Sequence, residues 1–290
     1  MYTQRPAEFD YRRPSSLDEA IGLLAENGDA RPLAGGHSLL PMMKLRLATP
    51  ATIVDIGRIP GLAGIEEDGD AITIGALATH ASVAASELVR SRCGVVAATA
   101  EKIGDRQVRN RGTIGGSLAH ADPGTDYPTL MMARGATIGI AGPRGEREIA
   151  ADDFFTGVFT TALEQGELVT RVRVPVVAAG TGAAYVKHRH PASGYAVAAA
   201  AAVLEVEGGK CARARVVVGG VTGTPVHATD AENAMIGIAP VDEAAIAAAA
   251  EQVPRSLEGA IGDTYASAEY RVHLAKVTAK RAVEAAFEAA

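Results

Sequence analysis

The chain is poor in cysteine, in aromatic residues and in long apolar runs. Among its 290 residues only Cys93 and Cys211 are cysteines, tryptophan is absent, and aromatic residues make up 4%. Two cysteines cannot supply the ligands of an iron–sulfur cluster or a framework of disulfides. No run reaches the ~18 apolar residues of a transmembrane helix, and the polar segment 1–6 lacks the apolar region of a signal peptide. We therefore expect a cytoplasmic protein, in solution or held at the inner face of the membrane.

Positive charge is also scarce. The 28 lysines and arginines are outnumbered by 34 aspartates and glutamates, which gives a formal net charge of −6. Binding to nucleic acid depends on basic residues that neutralise phosphates, so no nucleic-acid partner is expected. Glycine, by contrast, is abundant at 32 residues. Because glycine fits tight turns and lets the backbone approach a ligand closely, the glycine-rich segments are the first places to look for a site.

The pattern of apolar and turn residues predicts three units. Residues 1–56 alternate between strands and helices, which predicts a small α/β unit. Residues 57–176 predict a second unit of strands and helices, in which the polar, glycine-rich stretch 104–126 is irregular. A small, flexible linker at 175–182 leads into residues 177–290, with three strands followed by alanine-rich helices. The predicted strands are 31–34, 52–56, 71–75, 137–140, 167–174, 184–187, 196–206 and 210–218, and the predicted helices include 39–47, 79–89, 95–103, 128–133, 230–236, 241–253 and 266–289.

The common nucleotide and metal signatures are missing. No G-x-G-x-x-G follows a predicted strand, no Walker loop is present, and no His-Glu-x-x-His occurs. A Rossmann dinucleotide site is therefore not supported. His188 and His190 have metal-ligand spacing, but a metal site needs three or four ligands, so ordinary surface histidines are favoured.

Two glycine segments predict a diphosphate site. In Pro32–Leu39 a strand ends, two glycines follow, and a helix begins. Successive backbone N–H groups in such a turn form a concave nest that, with the positive end of the helix, favours a phosphate. Thr113–Ser117 again places two glycines beside hydroxyl side chains. Each segment alone would be a tight turn, but the pair can hold a diphosphate without arginine, which suits an acidic chain.

These residues carry a family resemblance. Ala34-Gly-Gly-His-Ser-Leu-Leu-Pro-Met-Met-Lys44, Thr113-Ile-Gly-Gly116 and Asp122-Pro-Gly-Thr-Asp126 resemble the FAD-binding medium subunits of molybdenum hydroxylases, and most of all those of carbon monoxide dehydrogenases. The resemblance covers essentially the whole chain. It implies an α+β protein with a vanillyl-alcohol-oxidase (PCMH)-type FAD-binding fold in two subdomains, 1–56 and 57–176. A C-terminal domain, 177–290, would hold a three-stranded antiparallel sheet and a helical bundle.

The resemblance also implies a non-covalent FAD site. Both glycine segments would embrace the pyrophosphate, Asp126 would lie near the adenosine, and the backbone of Leu168 would meet the adenine. Lys187 would lie near the flavin ring, where a cation stabilises the reduced form, and Tyr195 would cover one face of the ring. The implied cofactor-binding residues are Pro32, Leu33, Ala34, Gly35, Gly36, His37, Ser38, Leu39, Ile103, Gly104, Thr113, Ile114, Gly115, Gly116, Ser117, Asp126, Leu168, Lys187 and Tyr195.

The implied function is electron transfer within a complex. A large partner subunit would carry molybdopterin and hydroxylate the substrate, and a small partner would carry two [2Fe–2S] clusters, since this chain lacks the cysteines for them. Electrons would pass through FAD to an external acceptor such as a quinone, a cytochrome or oxygen, in a duplicated heterotrimer. No catalytic base and no metal ligand are expected on this chain. The basic run Gly104–Arg111 would dock the iron–sulfur subunit, help to hold phosphates, or simply face solvent.

Three alternatives stay open. A free-standing FAD oxidase of the wider class could attach its flavin covalently to His37, and a non-catalytic protein could have kept the fold. The third is a medium subunit of another branch, because Ser117 stands where the family often has Asn and Gly194 where the carbon monoxide branch usually has Asp. The substrate of the complex is therefore open between carbon monoxide, an N-heterocycle and an aldehyde.

Overall fold

A small parallel sheet begins the fold. The computed structural model describes residues 5–290, so most of the polar segment 1–6 lies outside the described residues. Three strands pair in the order β1–β3–β2, and the Ser16 hydroxyl caps the first helix by accepting from the backbone N–H of Glu19. The elements are β1 (Asp10–Arg12), α1 (Leu17–Glu26), β2 (Ala30–Leu33), α2 (Leu39–Lys44) and β3 (Thr52–Asp55).

A five-stranded antiparallel sheet with short helices forms the second unit. Its strands pair in the order β4–β5–β10–β6–β7, and β8 pairs with β9 as a separate ribbon. The elements are β4 (Ile65–Asp68), β5 (Ala71–Gly75), α3 (His80–Ala85), α4 (Glu87–Arg92), α5 (Gly94–Glu101), α6 (Arg106–Arg109), α7 (Ile114–His120), α8 (Asp126–Ala133), β6 (Thr137–Gly142), β7 (Gly145–Ala150), α9 (Ala151–Phe154), β8 (Phe155–Gly157), β9 (Thr160–Thr161) and β10 (Leu168–Pro175).

The third unit is an antiparallel sheet covered by helices. Three long strands pair in sequence order, and a two-residue strand, β14, joins the edge of the predicted three-stranded sheet. The elements are β11 (Thr181–Arg189), β12 (Ala196–Glu207), β13 (Lys210–Gly219), β14 (Val226–His227), α10 (Thr229–Met235), α11 (Glu243–Ala250), a 3₁₀ turn (Val253–Ser256) and α12 (Ala268–Glu288).

Helix α8 joins the second and third units. All eight of its residues are buried, and it packs against β12 and β13, while α12 covers the same strands from the other side. Residues Ala198–Ala202 are completely buried between these layers. A Cβ atom on Gly219 would lie 1.9 Å from the Thr129 hydroxyl oxygen, so the helix touches the sheet backbone itself. Small residues thus build a core that few aromatic side chains fill.

Two sequence-based predictions of local structure are wrong. The helix expected at 79–89 is two helices, because Ser86 ends α3 and its hydroxyl caps α4 by accepting from the Val89 N–H. The stretch 104–126, expected to be irregular, contains α6 and α7. No helix among residues 5–290 is long and apolar enough to cross a membrane.

Candidate functional site

A cavity of about 750 Å³ lies where the three units meet. Its walls come from β2 and the loop after it, from α3 and α7 of the second unit, and from the β11–β12 loop of the third. This volume is in the range of sites that enclose a cofactor or a drug-sized ligand.

The first glycine loop offers free hydrogen-bond donors to this cavity. Gly36 has φ = +78°, a conformation that L side chains rarely adopt. A Cβ atom on Gly35 would lie 2.1 Å from the carbonyl oxygen of Arg111, so only glycine lets this loop approach the backbone just before the second segment. None of the four backbone N–H groups of residues 35–38 has a hydrogen-bond partner within residues 5–290. Successive free amides that line a cavity make an anion-binding nest.

The second glycine loop differs from the first. The backbone N–H groups of residues 114–117 all bond within the protein, to Ala78 O, Ala76 O, Thr113 Oγ1 and Thr113 O. Thr113 caps α7, and a Cβ atom on Gly115 would lie 2.4 Å from the Cβ of Ala76. Of the two segments, only the first therefore offers free backbone amides to the cavity. The second loop supplies a close-packed floor to the cavity, and Ser117 is among the residues that line it.

Asp126 and Lys187 form a buried ion pair at one end of the cavity. Their side chains are each 4% exposed, and Lys187 Nζ lies 2.8 Å from Asp126 Oδ1. Lys187 also donates to the carbonyl of Gly194 at 2.9 Å, and the Tyr185 hydroxyl donates to Asp126 at 2.7 Å. Burial raises the pKa of Asp126, while the Lys187 cation and the Tyr185 hydroxyl oppose that rise. Asp126 lines the cavity, and the lysine lies behind it.

This ion pair contradicts one pair of expected roles. The resemblance places Asp126 at the adenosine and Lys187 at the flavin ring, which are opposite ends of an extended dinucleotide. Two groups in direct contact cannot lie at opposite ends of such a ligand. Asp126 instead shares its end of the cavity with Gly194 and Tyr195, and Leu168 lies with Ile56 and Leu77 in a separate apolar cluster that also borders the cavity.

The structure gathers nearly all of the expected binding residues around this one cavity. The two exceptions are Ile114, which is completely buried in the core, and Lys187. Sequence reasoning missed His80, which lines the cavity as the first residue of α3 and belongs to no motif. The expected residues that line the cavity are Pro32, Leu33, Ala34, Gly35, Gly36, His37, Ser38, Leu39, Ile103, Gly104, Thr113, Gly115, Gly116, Ser117, Asp126, Leu168 and Tyr195.

The structure also bears on two weaker sequence features, the pair of histidines and the basic run. Within residues 5–290 no group of three or more potential metal ligands comes together, so the spacing of His188 and His190 gains no support as a metal site. In the basic run, Arg109 donates to the carbonyls of Ile103 and Gly104 and so shapes the cavity wall.

The matches to family models cover the chain in two parts. Residues 7–177 match the model described as the FAD binding domain in molybdopterin dehydrogenase. Residues 183–286 match the model described as the CO dehydrogenase flavoprotein C-terminal domain.

Two similar proteins match over nearly their whole length. The chain is 43% identical to the carbon monoxide dehydrogenase medium chain of Afipia carboxidovorans over 97% of both chains. It is 37% identical to the nicotine 6-hydroxylase medium subunit of Paenarthrobacter nicotinovorans, over 94% of this chain and 95% of that one.

Solved structures give the same picture. A Cu,Mo-CO dehydrogenase structure in its cyanide-inactivated form matches with a TM-score of 0.94 at 42% identity, over 98% of this chain and 99% of that chain. Quinoline 2-oxidoreductase from Pseudomonas putida 86 matches with a TM-score of 0.92 at 36% identity, over 98% of both chains.

Proposed function

The chain belongs to the family of FAD-binding medium subunits of molybdenum hydroxylases, and from that membership we propose that its three-unit cavity is the FAD site of a carbon monoxide dehydrogenase-type complex. The observation that carries the site is the row of four free amides at residues 35–38 within a cavity of about 750 Å³. The full-length relatives are named as chains or subunits of larger enzymes, which favours this hypothesis over a free-standing oxidase or a protein without a cofactor.

The residues present fit a dinucleotide with a diphosphate at its middle. The first glycine loop would hold the diphosphate through backbone donors, which need no basic side chain to match its negative charge. The apolar cluster with Leu168 would receive the adenine. Tyr195, Asp126 and, behind the aspartate, Lys187 would frame the flavin ring. In this orientation Asp126 lies near the flavin ring and not near the adenosine, whereas Lys187 stays near the flavin ring as expected.

FAD supplies a group that accepts electrons singly and passes them to a second acceptor. The chain's own contribution is to bind and orient it and to exclude water from one end of the cavity. Cys93 and Cys211 are both buried and donate to backbone carbonyls, so neither is available to a cluster. In our proposal a small subunit brings the [2Fe–2S] clusters, a large subunit brings molybdopterin, and the complex is a dimer of heterotrimers. An external quinone, cytochrome or oxygen receives the electrons.

The site is tested in the chain purified with its partner subunits. We expect Gly36→Glu to abolish FAD retention, because the side chain strains a backbone at φ = +78° and brings a carboxylate to the diphosphate nest. Gly237→Glu is the matched control: Gly237 has φ = +83°, no atom near its Cβ position, and no place in the cavity. The measurements are the FAD content of each complex and the bleaching of its flavin absorption by carbon monoxide, an N-heterocycle or an aldehyde.

The two measurements test the FAD site and the substrate of the complex separately. Stoichiometric FAD in a folded Gly36→Glu complex would overturn the assignment of the diphosphate to the first loop. Bleaching of the wild-type complex by an N-heterocycle or an aldehyde but not by carbon monoxide would retain the FAD site and reject the carbon monoxide branch.

A further inference from the structure

His80 is held beside the second glycine segment by its own backbone. Its N–H donates to the carbonyl of Gly112 at 2.9 Å, and the preceding Thr79 forms a β-bridge with Thr113. The Thr79 hydroxyl caps α3 by accepting from the N–H of Ser82 at 3.1 Å. These bonds fix the direction in which the imidazole leaves the backbone.

The imidazole of His80 is a buried polar group without a protein partner. The residue is only 5% exposed, its Nδ1 is completely buried with no hydrogen bond, and its Nε2 bonds to nothing in residues 5–290. One side of the ring packs against Tyr127 at a centroid distance of 5.4 Å, and His80 is one of the residues that line the cavity. Buried polar groups in proteins nearly always have a partner. A missing partner on a cavity wall therefore points to a ligand.

The His80 ring lies close to the place where the two glycine loops approach each other. A Cβ atom on Gly112 would lie 2.6 Å from His80 Nε2, so the ring occupies space that only a glycine at 112 leaves free. A Cβ atom on Gly35 would lie 2.9 Å from the Cα of the same Gly112. His80 thus lies at the floor of the cavity, beside the point where the nest of free amides meets the backbone of Gly112, just before the second segment.

The surroundings keep this imidazole uncharged at neutral pH. Burial first, and then the neighbouring His37 of the first loop and Arg109 of α6, lower the pKa of His80 to about 4. Tyr127 of α8 faces the ring from the core, where burial raises the pKa of its hydroxyl and keeps it neutral. An uncharged imidazole still carries one N–H donor.

We propose that His80 is a further FAD-binding residue, whose Nε2–H donates a hydrogen bond to a phosphate oxygen of the cofactor's diphosphate. The inference rests on the FAD site proposed above and adds a side-chain donor to the four backbone donors of the first loop. It gives the Nε2 of this ring a partner that no protein atom supplies, and it accounts for the glycine at 112, which leaves room for the ring.

The test measures flavin affinity in the full chain after removal of FAD. Quenching of flavin fluorescence gives Kd for FAD and for riboflavin, which lacks the diphosphate. His80→Phe keeps a ring against Tyr127 and removes the donor, so we expect FAD to bind about ten- to one-hundred-fold more weakly, as for one lost hydrogen bond to a charged group. Riboflavin affinity should not change. His80→Gln, whose amide nitrogen can reach the Nε2 position, should restore most of the affinity.

Tyr127→Phe is the matched control, because it removes a buried, unpartnered hydroxyl that does not line the cavity. It should leave both Kd values unchanged. A wild-type chain that binds no FAD would overturn the proposed function itself. Normal FAD binding by folded His80→Phe would overturn only the role of His80. An equal loss for FAD and riboflavin, or a failure of His80→Gln to recover affinity, would reject the bond to the diphosphate.

Discussion

At the scale of single residues, the ion pair of Lys187 and Asp126 shows how burial makes two residues depend on each other. Both side chains are 4% exposed, and their remaining hydrogen bonds go to the Tyr185 hydroxyl and the Gly194 carbonyl. A buried charge is tolerated only with a close partner, because water is not there to solvate it. Either residue alone would be a poor fit to this part of the fold.

Removing the lysine should therefore destabilise the chain strongly. We expect Lys187→Met to lower the free energy of unfolding by about 3–5 kcal/mol, because Asp126 is left buried without its cation. Adding Asp126→Asn should recover part of that loss. Urea unfolding of the full chain measures both.

The control is Lys276→Met, which breaks the ion pair with Glu251, whose side chain is 63% exposed. Its cost should be less than about 1 kcal/mol. Equal losses in the two lysine variants, or no recovery in the double variant, would show that Lys187 and Asp126 are not coupled.

At the scale of secondary structure, the sequence predicted well those helices and strands whose pattern lies in neighbouring residues. The strand Ala71–Gly75 follows from alternation, and the caps at Ser16 and Thr79 follow from hydroxyl residues before apolar runs. The helix Ile114–His120 was missed because two glycines near its start favour a turn. It forms because Thr113 caps it and its first amides bond to the chain at Ala76 and Ala78, which are distant in sequence.

Thr113 therefore should matter for both stability and binding. We expect Thr113→Val to cost about 1 kcal/mol of stability through loss of the cap, and to weaken FAD binding because the loop at Gly116 loses its anchor. Thermal unfolding and FAD titration of the full chain measure the two effects.

Ser267→Ala is the matched comparison, since Ser267 caps α12 by accepting from the N–H of Tyr270, away from the cavity. It should cost similar stability and leave FAD affinity unchanged. If both variants weakened FAD equally, the effect of Thr113 would be one of general stability.

At the scale of the whole molecule, a polar cluster fastens the third unit to the second. His227 of β14 contacts Glu232 at 2.8 Å and Asp152 of α9 at 3.1 Å. Arg215 of β13 donates to the same Asp152 at 2.8 Å. The carboxylates, Glu232 first and then Asp152, raise the pKa of His227 despite its partial burial. The protonated histidine therefore stabilises the junction.

This junction predicts a pH dependence of definite sign. The pKa of His227 is raised in the folded state above its ordinary value of 6.5. The stability that protonated His227 contributes is therefore complete below pH 6.5 and is lost as pH rises through the folded-state pKa. We expect the stability difference between wild type and His227→Gln to shrink from about pH 5 to about pH 8. Urea unfolding across this range measures it, with a slope of at most ~1.4 kcal/mol per pH unit.

His80 should give a pH dependence of stability with the opposite sign. Its folded-state pKa is lowered to about 4, so it reduces stability as pH falls below 6.5. Relative to wild type, His80→Phe should gain stability toward low pH while His227→Gln loses it. A pH-independent difference for His227→Gln would contradict the role of its ion pairs.

The sequence by itself determined the two glycine segments, the family resemblance and most of the local elements. These depend on residues close together in the chain: two glycines after a strand, hydroxyl caps, and alternating apolar positions. Only the tertiary structure decided which amides stay free, that Asp126 and Lys187 form one buried ion pair, and that His80 belongs to the wall of the cavity. Those facts depend on contacts between residues far apart in sequence, and local patterns carry no record of which distant group satisfies a given donor or charge.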